Sequence, residues 1–147
     1  MTTIQLSQHI TAAPAAVYDY VTRPARWKQW HPASLGAQTH ADASLSQGAR
    51  FEEDIRSAGF TRHLRWQVLD SQPAKRWEAQ ALMNDGSSVH LLYEFAADGD
   101  GTRFTRTLHY AIKPLLLRWA NDLLMWRKVR RESGTAMANL ARKFSVS

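Results

Sequence analysis

The chain contains no cysteine, which excludes disulfides, thiolate nucleophiles and cysteine-ligated zinc. No apolar run approaches the ~18 residues that a membrane-spanning helix needs. The opening residues, MTTIQLSQHI, carry neither a basic nor an apolar signal region, so a cytoplasmic protein without stable membrane insertion is expected. The histidines (9, 31, 40, 63, 90 and 109) are scattered, and none forms an HExxH or His-x-His pair. No Ser-His-Asp order, phosphate-binding glycine loop or paired-carboxylate spacing is present. The DGDG run at 98–101 lacks the later glutamate of a calcium loop and reads as a hairpin connection. The expectation is no metal and no cofactor.

What is present is a chain of 147 residues, 44% hydrophobic and 22% charged, long enough for one domain with a buried core. Its net charge of +6 is concentrated at one end. From Lys113 onward there are eight basic residues against two acidic ones, so the rest of the chain is neutral. A basic helix attracts nucleic acid or anionic lipid, but WRKVRRE also reads as one solvated helix face, and no nucleic-acid partner is expected.

Thr2 to Thr11 alternates, with Ile4, Leu6 and Ile10 on one face, as a half-buried strand does. Pro14 opens a helix with Val17, Tyr20 and Val21 on one stripe. Arg23-Pro24 breaks it and begins a shorter helix that places Trp27 and Trp30 on one face, and Pro32 ends that helix. Short strands are then expected over 35–41, 49–56, 59–70, 75–83, 88–97 and 102–112, separated by turn signals. A Ser57-Ala58 turn would pair Glu53 with Arg62. A loop at 71–74 would pair Val68 with Trp77, an Asn84-Asp85-Gly86 turn Ala81 with Val89, and a loop at 98–101 Tyr93 with Arg106. In each hairpin the apolar faces meet, as a sheet buried on one side requires. After Pro114 the period becomes helical. Leu116, Ala120, Leu123 and Arg127 mark one stripe, continued by Met137, Ala141 and Phe144, with a bend or loosening at Ser133-Gly134.

The segment ITAAPAAVYDYVTRPARWKQWHP resembles the N-terminal signature of the START-like, Bet v 1-like (SRPBCC) superfamily, especially its bacterial polyketide cyclase/dehydrase and lipid-transport branch. QGARFE at 47–52 and ESGTAMANLARKF near the end are similar to further signatures of that branch. The resemblance implies an α+β helix-grip fold: a curved seven-stranded antiparallel sheet wrapped around a long C-terminal helix, with two short helices between strands 1 and 2. It also implies a cavity between sheet and helix that receives hydrophobic small molecules. Fold alone does not choose among binding, transport, cyclisation and protein interaction.

On this reading the strand faces give the cavity residues: Phe51, Glu53, Arg62, Leu64, Trp66, Ala79, Ala81, Leu91, Tyr93, Arg106, Leu108 and Tyr110. Trp30 borders the cavity, and Leu123 and Arg127 reach it from the C-terminal helix. Large aromatics with a few polar groups are the usual lining of an apolar pocket, and Ala79 and Ala81 leave room. Glu53 and Arg62, set opposite each other with Arg106 close by, form either a structural ion pair or an anchor for a ligand carboxylate or enolate. Tyr93 and Tyr110 are candidate hydroxyl donors, whereas His63, His90 and His109 fall on the outward face. The leading function is binding, or transport, of a hydrophobic or aromatic small molecule or lipid. A polyketide cyclase/aromatase-type enzyme comes second and a co-chaperone-like or toxin-like interaction protein third; no catalytic residue is assigned.

Overall fold

In the computed structural model, residues 2–39 and 41–145 are described; His40, at the end of the expected strand 35–41, lies outside them. The alternation at the N-terminus forms β1 (Thr2–Ile10), with Ile4 and Ile10 buried. Pro14 then starts α1 (Pro14–Val21), where its missing N–H costs nothing, and Val17, Tyr18 and Val21 face inward. A single 3-10 turn (Pro24–Arg26) leads into α2 (Trp27–Trp30), which buries both tryptophans.

Six strands follow: β2 (Ser34–Gln38), β3 (Arg50–Ser57), β4 (Phe60–Gln72), β5 (Arg76–Leu82), β6 (Ser88–Asp98) and β7 (Gly101–Ala111). All pairs are antiparallel, in the order β1-β7-β6-β5-β4-β3-β2. The strand edges agree with the sequence expectation to within a few residues, and the fold is the α+β helix-grip: a curled sheet holding a long C-terminal helix.

Two hairpins have the expected register, Ala81 facing Val89 and Tyr93 facing Arg106. Two are offset by two residues. Ser57 pairs with Phe60, so the turn is Ala58-Gly59 and Glu53 faces Leu64 while Arg62 faces Ile55. Both turn residues have positive φ, 52° and 86°, the requirement of a tight primed turn that favours glycine. In the next hairpin Val68 pairs with Ala79, an offset of two, and a bulge between Val68 and Asp70 adds one more, so that Ser71 pairs with Trp77. An offset of two leaves every side chain on its expected face, which is why face patterning alone does not expose it.

The C-terminal helix departs from the expected phase. α3 (Leu115–Ala120) runs through a π-helical turn (Asn121–Met125) into α4 (Trp126–Ser145). The irregularity therefore lies at 121–125, and α4 passes through Ser133-Gly134 without a break. Asn121 explains the phase. It is buried, accepts from Tyr110 Oη at 2.6 Å through Oδ1, and donates to Thr2 Oγ1 at 2.9 Å through Nδ2. That polar anchor turns Leu116, Leu123 and Arg127 to solvent, with Leu116 76% exposed and Leu123 52%. Farther along, Met137 of the expected stripe is buried, together with Ser133, Ala136 and Leu140, and Phe144 packs against the core. The basic side chains of Arg127, Lys128, Arg130 and Arg131 are exposed, as a solvated helix face. No described helix is long and apolar enough to cross a membrane.

Candidate functional site

The concave face of the sheet is filled at one end and hollow at the other. At the filled end Trp27 meets Phe51, Trp66 and Trp77 edge-on, with ring centroids 5.4, 5.7 and 6.0 Å apart. Phe51, Ala79 and Ala81 belong to this packing or to the sheet beneath it and do not border the hollow, contrary to expectation.

The hollow end encloses a cavity of about 130 Å³. From the sheet it is bounded by Glu53, Arg62, Leu64, Trp66, Leu91, Tyr93, Arg106, Leu108 and Tyr110, and from α2 by Trp27 and Trp30. Val89 and Met83 complete the apolar sheet wall, and Met125 and Val129 close it from the helix in the places expected for Leu123 and Arg127. Arg127 instead lies over the Trp126 ring at 5.6 Å, on the solvent side. Ser57 Oγ donates to Glu132 Oε1 at 2.5 Å, tying the β3–β4 hairpin to α4 beside the cavity.

The two arginines of this wall differ. Arg62 hydrogen-bonds the Asp85 carboxylate and reaches Met83 Sδ at 3.6 Å, so its charge is paired and it does not meet Glu53. Arg106 is only 8% exposed, donates from Nη1 to Ser133 Oγ at 3.0 Å, and has no partner for Nε among the described residues. Among the described residues no carboxylate lies within 4.0 Å of its guanidinium. Glu53, 4% exposed, instead accepts from Trp66 Nε1 at 3.1 Å. Burial pushes the Glu53 carboxyl up to about 7, against the opposing pull of the Ser34 and Trp66 donors and the Arg106 charge. Ser34 Oγ is buried beside it without a well-aligned hydrogen bond of its own.

Tyr93 stands opposite Arg106, and burial raises its hydroxyl to about 12 despite the neighbouring guanidinium, so it is a neutral phenol. The Tyr110 hydroxyl is already spent on Asn121, which withdraws it as a donor to anything in the cavity. His31, which the sequence presents only as part of a helix end, also borders the cavity. Its Nδ1 accepts from the Ala33 amide at 3.1 Å. Enclosure of the ring, and then the Arg106 charge, hold its pKa well below the usual value, so the imidazole is neutral with its proton on Nε2. Trp30 Nε1 is buried and unpartnered as well. The cavity thus combines apolar walls with buried donors that the protein leaves unsatisfied. Of the polar residues here, His31, Ser34, Asn121 and Ser133 carry no periodic signal in the sequence; only the crowding of WKQWHP hints at His31.

On the outward face, His63 lies between Glu52 Oε1 (2.8 Å) and Asp54 Oδ1 (2.7 Å), His90 bonds Glu78, and His109 pairs with Thr3 at 2.8 Å. All three lie on the opposite side of the sheet from the cavity.

A family model described as polyketide cyclase / dehydrase and lipid transport matches residues 1–145. No curated protein matches the chain. Among solved structures, TTHA0849 from Thermus thermophilus superposes with a TM-score of 0.79 at 16% identity, over 99% of this chain and 100% of that one. A START superfamily protein from Mycobacterium smegmatis gives 0.73 at 12%, over 97% of each chain. Ara h 8.0201 gives 0.66 at 11%, over 99% of each. At these identities the likeness is one of fold.

Proposed function

We propose that this chain, which belongs to the polyketide cyclase / dehydrase and lipid transport family, binds a hydrophobic small molecule in the cavity between its sheet and its C-terminal helix. The observation that carries this reading is the pairing of apolar walls with buried hydrogen-bond donors that have no partner among the described residues. Nearly all buried polar groups in folded chains are satisfied, so unpartnered donors on residues that line a cavity mark it as a place for recognition. The walls supply affinity through burial, and the donors fix orientation. Native mass spectrometry of the purified protein, with thermal shifts against a hydrophobic-ligand library, tests it. Saturable stabilisation that grows with ligand concentration is expected, and no stabilisation by any member would refute it.

A second reading has one specific observation behind it. Glu53 faces the cavity with its carboxyl held at about 7, the range in which a general base works near neutrality. In a cyclase or dehydrase, Glu53 would take a proton from a carbon next to a carbonyl while Arg106 and Tyr93 steadied the resulting enolate oxygen. Under that reading Glu53→Gln abolishes turnover of a poly-β-ketone and spares binding. Under binding alone no turnover exists to lose.

A further inference from the structure

We propose that the molecule held in this cavity is an amphipathic monocarboxylate whose carboxylate seats on Arg106. The inference rests on the ligand-binding reading above and goes further by naming the head group. A guanidinium taken out of water costs several kcal/mol unless a counter-charge meets it. Arg106 is buried, its Nε has no acceptor among the described residues, and its guanidinium hydrogen-bonds the neutral hydroxyls of Ser133 and Tyr93 rather than a carboxylate. Glu53 does not fill the role: it lies beyond salt-bridge distance and its Oε1 serves Trp66. Arg62, the other arginine on this wall, has its own carboxylate in Asp85, so the protein satisfies one charge and leaves the other open.

The neighbouring donors fit an oxyanion as well. Trp30 Nε1–H is buried without an acceptor among the described residues, and the neutral His31, which lines the same cavity, carries its proton on Nε2. One positive charge with neutral donors matches a single negative charge, as a carboxylate has. The volume of about 130 Å³ is close to that of the engineered cavity of ~150 Å³ that holds benzene, so the enclosed body is about the size of one ring.

The test uses matched pairs, benzoate, phenylacetate and 3-phenylpropanoate against their primary amides, titrated calorimetrically at constant pH and ionic strength. Charge-assisted hydrogen bonding predicts that at least one acid binds about tenfold or more tighter than its amide. Arg106→Met erases that preference, Trp30→Phe reduces it severalfold while keeping a ring in place, and the solvent-side variant Arg127→Met leaves it intact. Without ligand, Arg106→Met melts at or above the wild-type temperature, because it removes an uncompensated buried charge. A melting temperature well below wild type, or failure to fold, would show that Arg106 is already paired and overturn the proposal. So would a preference that survives Arg106→Met. Amides binding as tightly as acids would remove the carboxylate and leave the hydrophobic-ligand reading standing; no binding by either, with no stabilisation across the library, removes both.

Discussion

Trp27 and Trp30 are neighbours on one short helix, both buried and both bordering the cavity, yet Trp27 also joins the aromatic cluster of Phe51, Trp66 and Trp77. Trp27 donates its Nε1–H to Val21 O at 2.8 Å, as Trp77 does to Leu45 O at 2.9 Å and Trp66 to Glu53. Among the described residues Trp30 Nε1–H has no acceptor. The filled end is therefore finished chemistry, with rings in contact and polar atoms paired, whereas the hollow end has donors waiting. Stability resides mainly in the first and recognition in the second. Substitutions can separate the two.

The largest expected effect is at the filled end. Trp27→Ala removes the ring on which Phe51, Trp66 and Trp77 converge and should cost about 3–5 kcal/mol in denaturant unfolding. A loss under about 1 kcal/mol would mean that this end is not close-packed.

Next comes the buried carboxyl of the hollow end. Glu53 is held at about 7 against a usual 4.5, so between those values the unfolded chain releases a proton that the folded chain keeps. The stability contribution is fully present below pH 4.5 and is lost as pH rises to about 7, by roughly 3 kcal/mol. Glu53→Gln should be free of that decline, so the wild-type-minus-variant difference across the window is the readout. A flat difference would place Glu53 in water or in an ion pair.

Smaller effects separate packing from space. Ala79→Leu, at a fully buried position away from the cavity, should destabilise by about 1–3 kcal/mol. Val89→Leu, on the cavity wall, should change stability by less than about 1 kcal/mol while weakening ligand binding. Equal costs at the two sites would erase the distinction between the ends. The smallest effect is at the β3–β4 turn, where Ala58 has φ 52°. Ala58→Asn should stabilise by up to about 1 kcal/mol, since asparagine tolerates that conformation and Asn-Gly is the preferred sequence for this turn. Destabilisation would contradict the Ala58-Gly59 register.

These tests also mark where sequence reasoning reaches its limit. Alternation assigns side chains to faces correctly because the pleat has a period of two. The same period makes Ser57-Ala58 and Ala58-Gly59 indistinguishable by face, and the choice between them moves Arg62 from Glu53 to Asp85. The glycine at position 59 is the available signal, through the positive φ the turn demands. Helical periodicity fails for a different reason. Leu116, Leu123 and Arg127 follow a regular stripe, but Asn121, a polar residue held between Tyr110 and Thr2, sets the rotation of the helix. Counting apolar residues is blind to such an anchor. The fold is legible in WKQWHP, QGARFE and the strand alternation. The unpaired state of Arg106 is not, because it depends on what surrounds the guanidinium in space.

The central claim is that the hollow end, and not the filled one, receives a ligand. Methionine-methyl NMR tests it directly, since Met83 and Met125 border the cavity while Met137 is packed in the core away from it. Titration with benzoate, phenylacetate and 3-phenylpropanoate should, for at least one of them, shift the Met83 and Met125 methyl signals saturably and leave Met137 in place. No saturable shift at Met83 and Met125 with any of these acids, or an equal shift at all three methionines, would contradict the account.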